Sequence, residues 1–299
     1  MAVVFSFDQR NVLLAALITI GMQTSFFIVA ATCKFDKVTD FAGGSNFIVL
    51  AVVTFFLSNT FYSRQIAITV LVVLWGFRLT GYLFYRILRI GEDKRFDDKR
   101  ENTLRFAVFW LLQAIWVFTV SLPVIYINAP LLVNNSHLVA TDYAGISVFV
   151  FGLIIEAIAD QQKFNFRNNP ENKDHWCEAG LWSWSRHPNY FGEMLVWWGA
   201  FLLSIEIIDE KKLWTAVMSP LFLMTILLFL SGIPLLEKKA DDKYKTKMEY
   251  VQYKQKTSPL IPLPPVIYGN LHKIPKLICF CEFPFYNSIE VDEQYVSVE

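Results

Sequence analysis

The sequence predicts an all-α, polytopic membrane protein of about seven transmembrane helices, and three observations carry that expectation. Of its 299 residues, 54% are hydrophobic and 16% aromatic, far from the balance of a soluble domain. Apolar runs close to the ~20 residues that cross a bilayer recur along the chain. Basic residues collect in alternate connections between those runs, the pattern left when Lys and Arg stay on the cytoplasmic side.

The runs lie at 11–32, 47–62, 66–88, 104–127, 143–159, 189–207 and 212–233. The second and fifth are short, which predicts tilted, broken or re-entrant elements there and brackets the count at six to eight. The first run has no basic leader and no small-residue cleavage site, so it is expected to be retained as a helix. Lys34 and Lys37, then Lys94, Arg95, Lys99 and Arg100, then Lys163, Arg167, Lys173 and Arg186 fill alternate connections. The connections between them carry Arg64, no Lys or Arg, and Lys211 with Lys212. The basic loops and the C-terminal segment are therefore expected in the cytoplasm. Asn134-Asn135-Ser136, a glycosylation acceptor pattern, falls in a connection on the other side. For a eukaryotic source the expected location is a multi-pass position in the endoplasmic reticulum.

From about Glu237 the chain turns polar, becomes proline-rich at Pro259, Pro262, Pro264 and Pro265, and ends acidic. Residues 1–258 are thus expected to form the membrane domain, and 259–299 a cytoplasmic tail with an amphipathic docking segment followed by disorder. The formal charge of zero supplies no field to recruit nucleic acid. Cys33, Cys177, Cys279 and Cys281 are too few and too scattered for a disulfide framework or a zinc site.

The chemistry is expected around Gly180 to Glu193, which reads Gly-Leu-Trp-Ser-Trp-Ser-Arg-His-Pro-Asn-Tyr-Phe-Gly-Glu. Pro188 suits a first helical turn, where its missing N–H costs nothing. A helix start there offers free N–H groups and a positive dipole end beside Arg186 and His187, a combination that favours a phosphate or carboxylate. Tyr190, Glu193 and Trp197 follow at spacings of three and four and share a face. A carboxylate such as Glu193, one turn inside an apolar helix, belongs in a protein interior or wet cavity more readily than in lipid; its bland alternative is a carboxylate favoured by the helix dipole.

Glu156, Asp160, Lys163 and Arg167 form a second stripe at helical spacing at the end of the fifth run, an arrangement that also suits a simple salt-bridge ladder. Trp75, Arg78, Tyr82, Tyr85, Arg86 and Arg89 form a basic and aromatic strip on the third run, where Arg86 and Arg89 are placed to snorkel. After the seventh run, Ser231-Gly232-Ile233-Pro234 predicts a helix break, and Tyr253 lies where it would cover a ligand.

In these residues the sequence resembles the steroid 5-alpha-reductase superfamily, in its uncharacterised branch with a steroid-reductase-type C-terminal domain. The likeness runs from about Asp40 to Pro262 and is strongest in Asp160 with Arg167, in Ser185 to Glu193, and in Tyr253 with Ile261-Pro262. It implies seven spans around a cofactor cavity open to the cytosol and NADPH as cofactor. By the same resemblance Asp160, Arg167, Asn189, Tyr190 and Glu193 would bind that cofactor, helped by Arg78 and Arg89. The expected cofactor set is completed by Glu156, Arg186, His187 and Tyr253. Trp75 stands where reductases of known activity carry a carbonyl-polarising Tyr. Tyr82 and Tyr85 then become the candidate catalytic donors, together with Glu193.

The leading expectation is NADPH-dependent reduction of an activated carbon–carbon double bond in a lipophilic substrate, such as a steroid, a sterol or another lipid enone. Arg186-His187-Pro188 is also similar to the motif of sterol reductases and isoprenylcysteine methyltransferases. That keeps open an S-adenosylmethionine-dependent methyltransferase of a lipid or prenylcysteine. A non-catalytic lipid- or sterol-binding membrane protein is the third alternative.

Overall fold

A computed structural model describes residues 10–33, 38–90, 103–129, 137–211 and 214–287. Among them there is no strand, only one isolated parallel bridge between Ser185 and Ser258. The main helices are α1 (Val12–Cys33), α2 (Val38–Ser58), α3 (Ser63–Ile90), α4 (Thr103–Val120), α5 (Leu122–Ile127), α6 (Ala140–Asn168) and α7 (Pro188–Lys211). They are followed by α8 (Met218–Thr225), α9 (Ile233–Tyr244), α10 (Met248–Lys256), α11 (Pro265–Gly269) and α12 (Lys273–Phe280). Six segments are long and apolar enough to cross a membrane, within α1, α2, α3, α6, α7 and Trp214–Tyr244, and Leu104–Val120 is a shorter apolar helix. The chain is an all-α, multi-pass integral membrane protein.

The expected breaks fall elsewhere than the hydropathy suggests. The second run is a full helix of 21 residues and the fifth one of 29, so neither is broken or re-entrant. The second begins ahead of the predicted boundary because Gly43 and Gly44 dilute its apolar signal while serving packing. A Cβ on Gly44 would clash with the Thr80 hydroxyl of α3 unless that side chain shifted, so glycine lets the two helices approach as they do. The interrupted run is the fourth. Pro123 lacks the N–H that would continue α4, and the chain turns at Ser121 into the six buried residues of α5.

The chain divides into two compact units, one of residues 1–151 and 195–223, the other of 152–194 and 224–299. In the first, Phe47, Trp75 and Trp197 meet pairwise with ring centroids 5.2–5.3 Å apart, an aromatic core of the kind that dominates burial energetics. Trp197 is therefore core rather than a partner of Tyr190 and Glu193. Arg64, at the start of α3, makes a bidentate pair with Asp142 at the start of α6, both bonds 2.7 Å. Asp142 also accepts the Val139 N–H at 2.9 Å, half of a capping arrangement at the α6 N-terminus.

The second unit is built on the end of α6, the start of α7 and the chain from 224 onward. A π-helical turn at Ile226–Leu230 and the turn at Ser231 and Gly232 precede α9, with Pro234 in its first turn; this is the break that the sequence predicts. Residues 259–287, expected as a tail, pack within this unit through Glu282 and Tyr286. The rest of that expected tail, 288–299, lies outside the described residues, as does the acceptor pattern at 134–136.

Candidate functional site

The segment before α7 is held by the chain that follows α10. The Arg186 N–H donates to the Ser258 carbonyl at 2.8 Å, the Ser185 hydroxyl to the Leu260 carbonyl at 2.7 Å, and the Leu263 N–H to the Trp184 carbonyl at 3.1 Å. Pro188 then opens α7, as its fixed φ and missing donor favour. Gly192 sets how closely α7 meets α6 in this unit, since a Cβ there would lie 2.6 Å from the Glu156 nitrogen and 2.7 Å from the Gly152 carbonyl oxygen. The close approach brings the Asn189 amide to the Asp160 carboxylate, a donated bond of 3.2 Å. Asp160 and Glu156 are both buried.

Behind this junction lies a buried ionic network. Arg186 donates through Nε to Glu237 at 3.2 Å and through its terminal nitrogens to Glu282 at 2.9 Å and to the carbonyls of Lys254 and Thr257 at 2.7 and 3.0 Å. Lys254 donates to both oxygens of Asp241 at 2.6 and 2.7 Å and to the Tyr286 carbonyl at 2.8 Å. Two cations thus face three carboxylates, and hydroxyl donors offset the excess: Tyr250 to Asp241 at 2.9 Å and Tyr268 to Glu282. Burial alone lowers the Arg186 pKa, but Glu237 and Glu282 more than reverse that, so its charge is held more firmly than in water.

His187 joins the network to the α6–α7 junction. Its Nε2 lies 2.8 Å from Glu237 Oε1; the carboxylate accepts, so Nε2 carries the proton and Nδ1 is left as an acceptor. Nδ1 is buried and has no partner among the described residues, whereas native structures seldom leave such an atom unsatisfied. Burial lowers the His187 pKa below the ordinary imidazole value, against the opposing pull of Glu237. The Tyr190 ring stacks on His187 at 5.7 Å with planes 11° apart.

The expected site residues fall in both units. Glu156, Asp160, Arg167, Arg186, His187, Asn189, Tyr190, Glu193 and Tyr253 all belong to the second unit. Arg78, Tyr82 and Tyr85 lie on α3 in the first, and the Arg89 side chain lies outside the described residues. Glu193 is half-buried and Arg167 exposed. Lys163 sits 3.8 Å from the centroid of the Trp182 ring, a cation–π geometry. Arg186 does meet anions, but they are Glu237 and Glu282 of this chain, because a guanidinium buried this deeply requires paired carboxylates. The Tyr253 hydroxyl donates to the Trp182 carbonyl at 2.7 Å, with the Cys177 carbonyl at 3.3 Å. Glu237, Asp241, Lys254 and Glu282 are absent from the sequence-derived set. The four-residue spacing of Glu237 and Asp241 just past an apolar run is the one signal that would have found two of them.

The α6–α7 junction brings acceptors and a cation to one end of the unit. Asp160 and the unpartnered Nδ1 of His187 can accept from hydroxyl or amide donors, and the exposed Arg167, on the same helix as Asp160, is a cation that can meet phosphate. Among the described residues no cluster of His, Cys, Asp and Glu is arranged to hold a metal.

Residues 26–257 match the family model described as a protein of unknown function, DUF1295. Uncharacterized protein C594.04c of Schizosaccharomyces pombe is 27% identical over 227 residues, which covers 67% of this chain and 63% of that relative. The chain thus spans somewhat less than two thirds of the relative's length. No solved structure matches. With a match that extends over most of its length, the chain belongs to the DUF1295 family.

Proposed function

We propose that this protein is an NADPH-dependent membrane oxidoreductase that reduces an activated carbon–carbon double bond of a lipophilic substrate. The observation that carries the reading is the α6–α7 junction, where Asn189 bonds Asp160 and, two residues earlier in the chain, a buried His187 has an Nδ1 without a partner among the described residues. Asp160 accepts from ribose hydroxyls, with Asn189 holding its carboxylate in place. Arg167 neutralises phosphate. His187 Nδ1 accepts from a hydroxyl or amide of the bound group, and Glu237 keeps the ring in the tautomer that leaves Nδ1 free to do so. Tyr190 and Glu193 flank the same helix start. NADPH, when bound, supplies the hydride for the carbon β to the substrate carbonyl. The loop charges support a cytosolic position for these residues.

The test is a thermal-shift titration of the purified full chain in detergent with NADPH, NADH and S-adenosylmethionine. Stabilisation by NADPH in preference to the other two, reduced about tenfold in apparent affinity by Asp160→Ala, is the expected result. Preferential stabilisation by S-adenosylmethionine would sink the reading and favour methyl transfer. Bound NADPH without turnover of any enone would favour a binding protein.

A further inference from the structure

We propose that α12 lies in the membrane interface, with Ile274, Leu277 and Ile278 sunk among the lipid chains of one leaflet. The helix turns most of its aliphatic residues outward. Its inner side is held by Lys276, which donates to the Gln255 carbonyl at 3.2 Å and sits 4.6 Å from the Tyr268 ring centroid. One turn further on, Phe280 packs edge-on against the buried Tyr268 ring at 5.5 Å. The side turned away is apolar, with Ile274 69% and Ile278 72% exposed and Leu277 beside them. Val266 and Ile267 of the neighbouring α11 are exposed as well.

What covers this face follows from where the chain goes next. Phe283 and Phe285 stack on each other, planes 3° apart, and both lie on Phe229, at 5.0 and 6.0 Å. Phe229 belongs to the apolar segment Trp214–Tyr244, long enough to cross a membrane, and is half exposed. Phe283 follows the end of α12 by three residues, so the helix is joined by a short connection to an exposed apolar stretch of that segment. The Tyr286 hydroxyl on the Leu228 carbonyl, at 2.6 Å, ties the segment to that span, and Glu282 ties it to Arg186 ahead of α7. Lys273, exposed at the first turn, is placed to reach the headgroups, as cations at interfacial helix ends do.

The test uses the full chain with its four cysteines replaced by serine and one cysteine introduced by Ile278→Cys. This site is labelled with an environment-sensitive fluorophore and reconstituted in phosphatidylcholine nanodiscs with or without chain-doxyl phosphatidylcholine. Blue-shifted emission, quenched about twofold or more by the doxyl lipid, is expected, with water-like and unquenched emission at a Lys173→Cys control. Ile274→Cys repeats the measurement at a second exposed position. Water-like emission at both helix positions overturns the proposal. So does a blue shift without doxyl quenching, which would mean that protein, such as a second copy of the chain, covers the face.

Discussion

Arg186 has its guanidinium in a place that admits little water, with side-chain exposures of 3% for Arg186 and 4% for Glu237. Removing one member of such a buried pair leaves the other uncompensated, at a cost of about 3–5 kcal/mol. Arg186→Met is therefore expected to lower the thermal midpoint in detergent sharply, whereas Arg167→Met, on an exposed side chain, should leave it nearly unchanged. His187 gives a pH dependence of definite sign. Its folded pKa is depressed below the ordinary imidazole value of 6.5. Below pH 6.5 the unfolded chain takes up a proton that the folded chain does not, so stability falls as pH falls through that window and is unaffected above it. Thermal midpoints measured across that window should show the decline, and His187→Gln should flatten it.

At the scale of elements, the α6–α7 junction depends on a backbone approach rather than on a side chain. Both atoms nearest the missing Cβ of Gly192 belong to the α6 backbone, so neither can swing aside. Gly192→Leu is expected to push the helices apart, to cost at least the ~1–3 kcal/mol of an overpacked site, and to break the Asn189–Asp160 bond. On the proposed function it should also abolish NADPH-dependent stabilisation, which the same thermal-shift titration reads. Element positions were largely legible in the sequence because apolar periodicity is local: Pro188 opens α7 and Glu156, Asp160, Lys163 and Arg167 share one continuous helix. The start of α2 was not legible, since glycine and polar residues that serve packing against α3 hide it from a hydropathy reading.

At the scale of the molecule, the family likeness ends at residue 257, yet the second unit does not. Glu282, Tyr268 and Tyr286 come from beyond that point and close the network around Arg186 and Lys254. A chain ending at Pro264 is expected to melt earlier in detergent and to expose the α9–α10 region to limited proteolysis. By itself the sequence determined the membrane class, the all-α architecture, the helix start at Pro188 and the polar stripe on α6, because hydropathy and helical spacing act over a few residues. Only the tertiary structure decided that Arg186 is paired internally, that Arg64 clasps Asp142, and that residues 259–287 are part of a packed unit. Those partners stand 51, 68 and 96 residues from Arg186 along the chain, and 78 separate Arg64 from Asp142. No local pattern encodes which distant charge a buried guanidinium will meet; desolvation demands a partner, and the fold selects it.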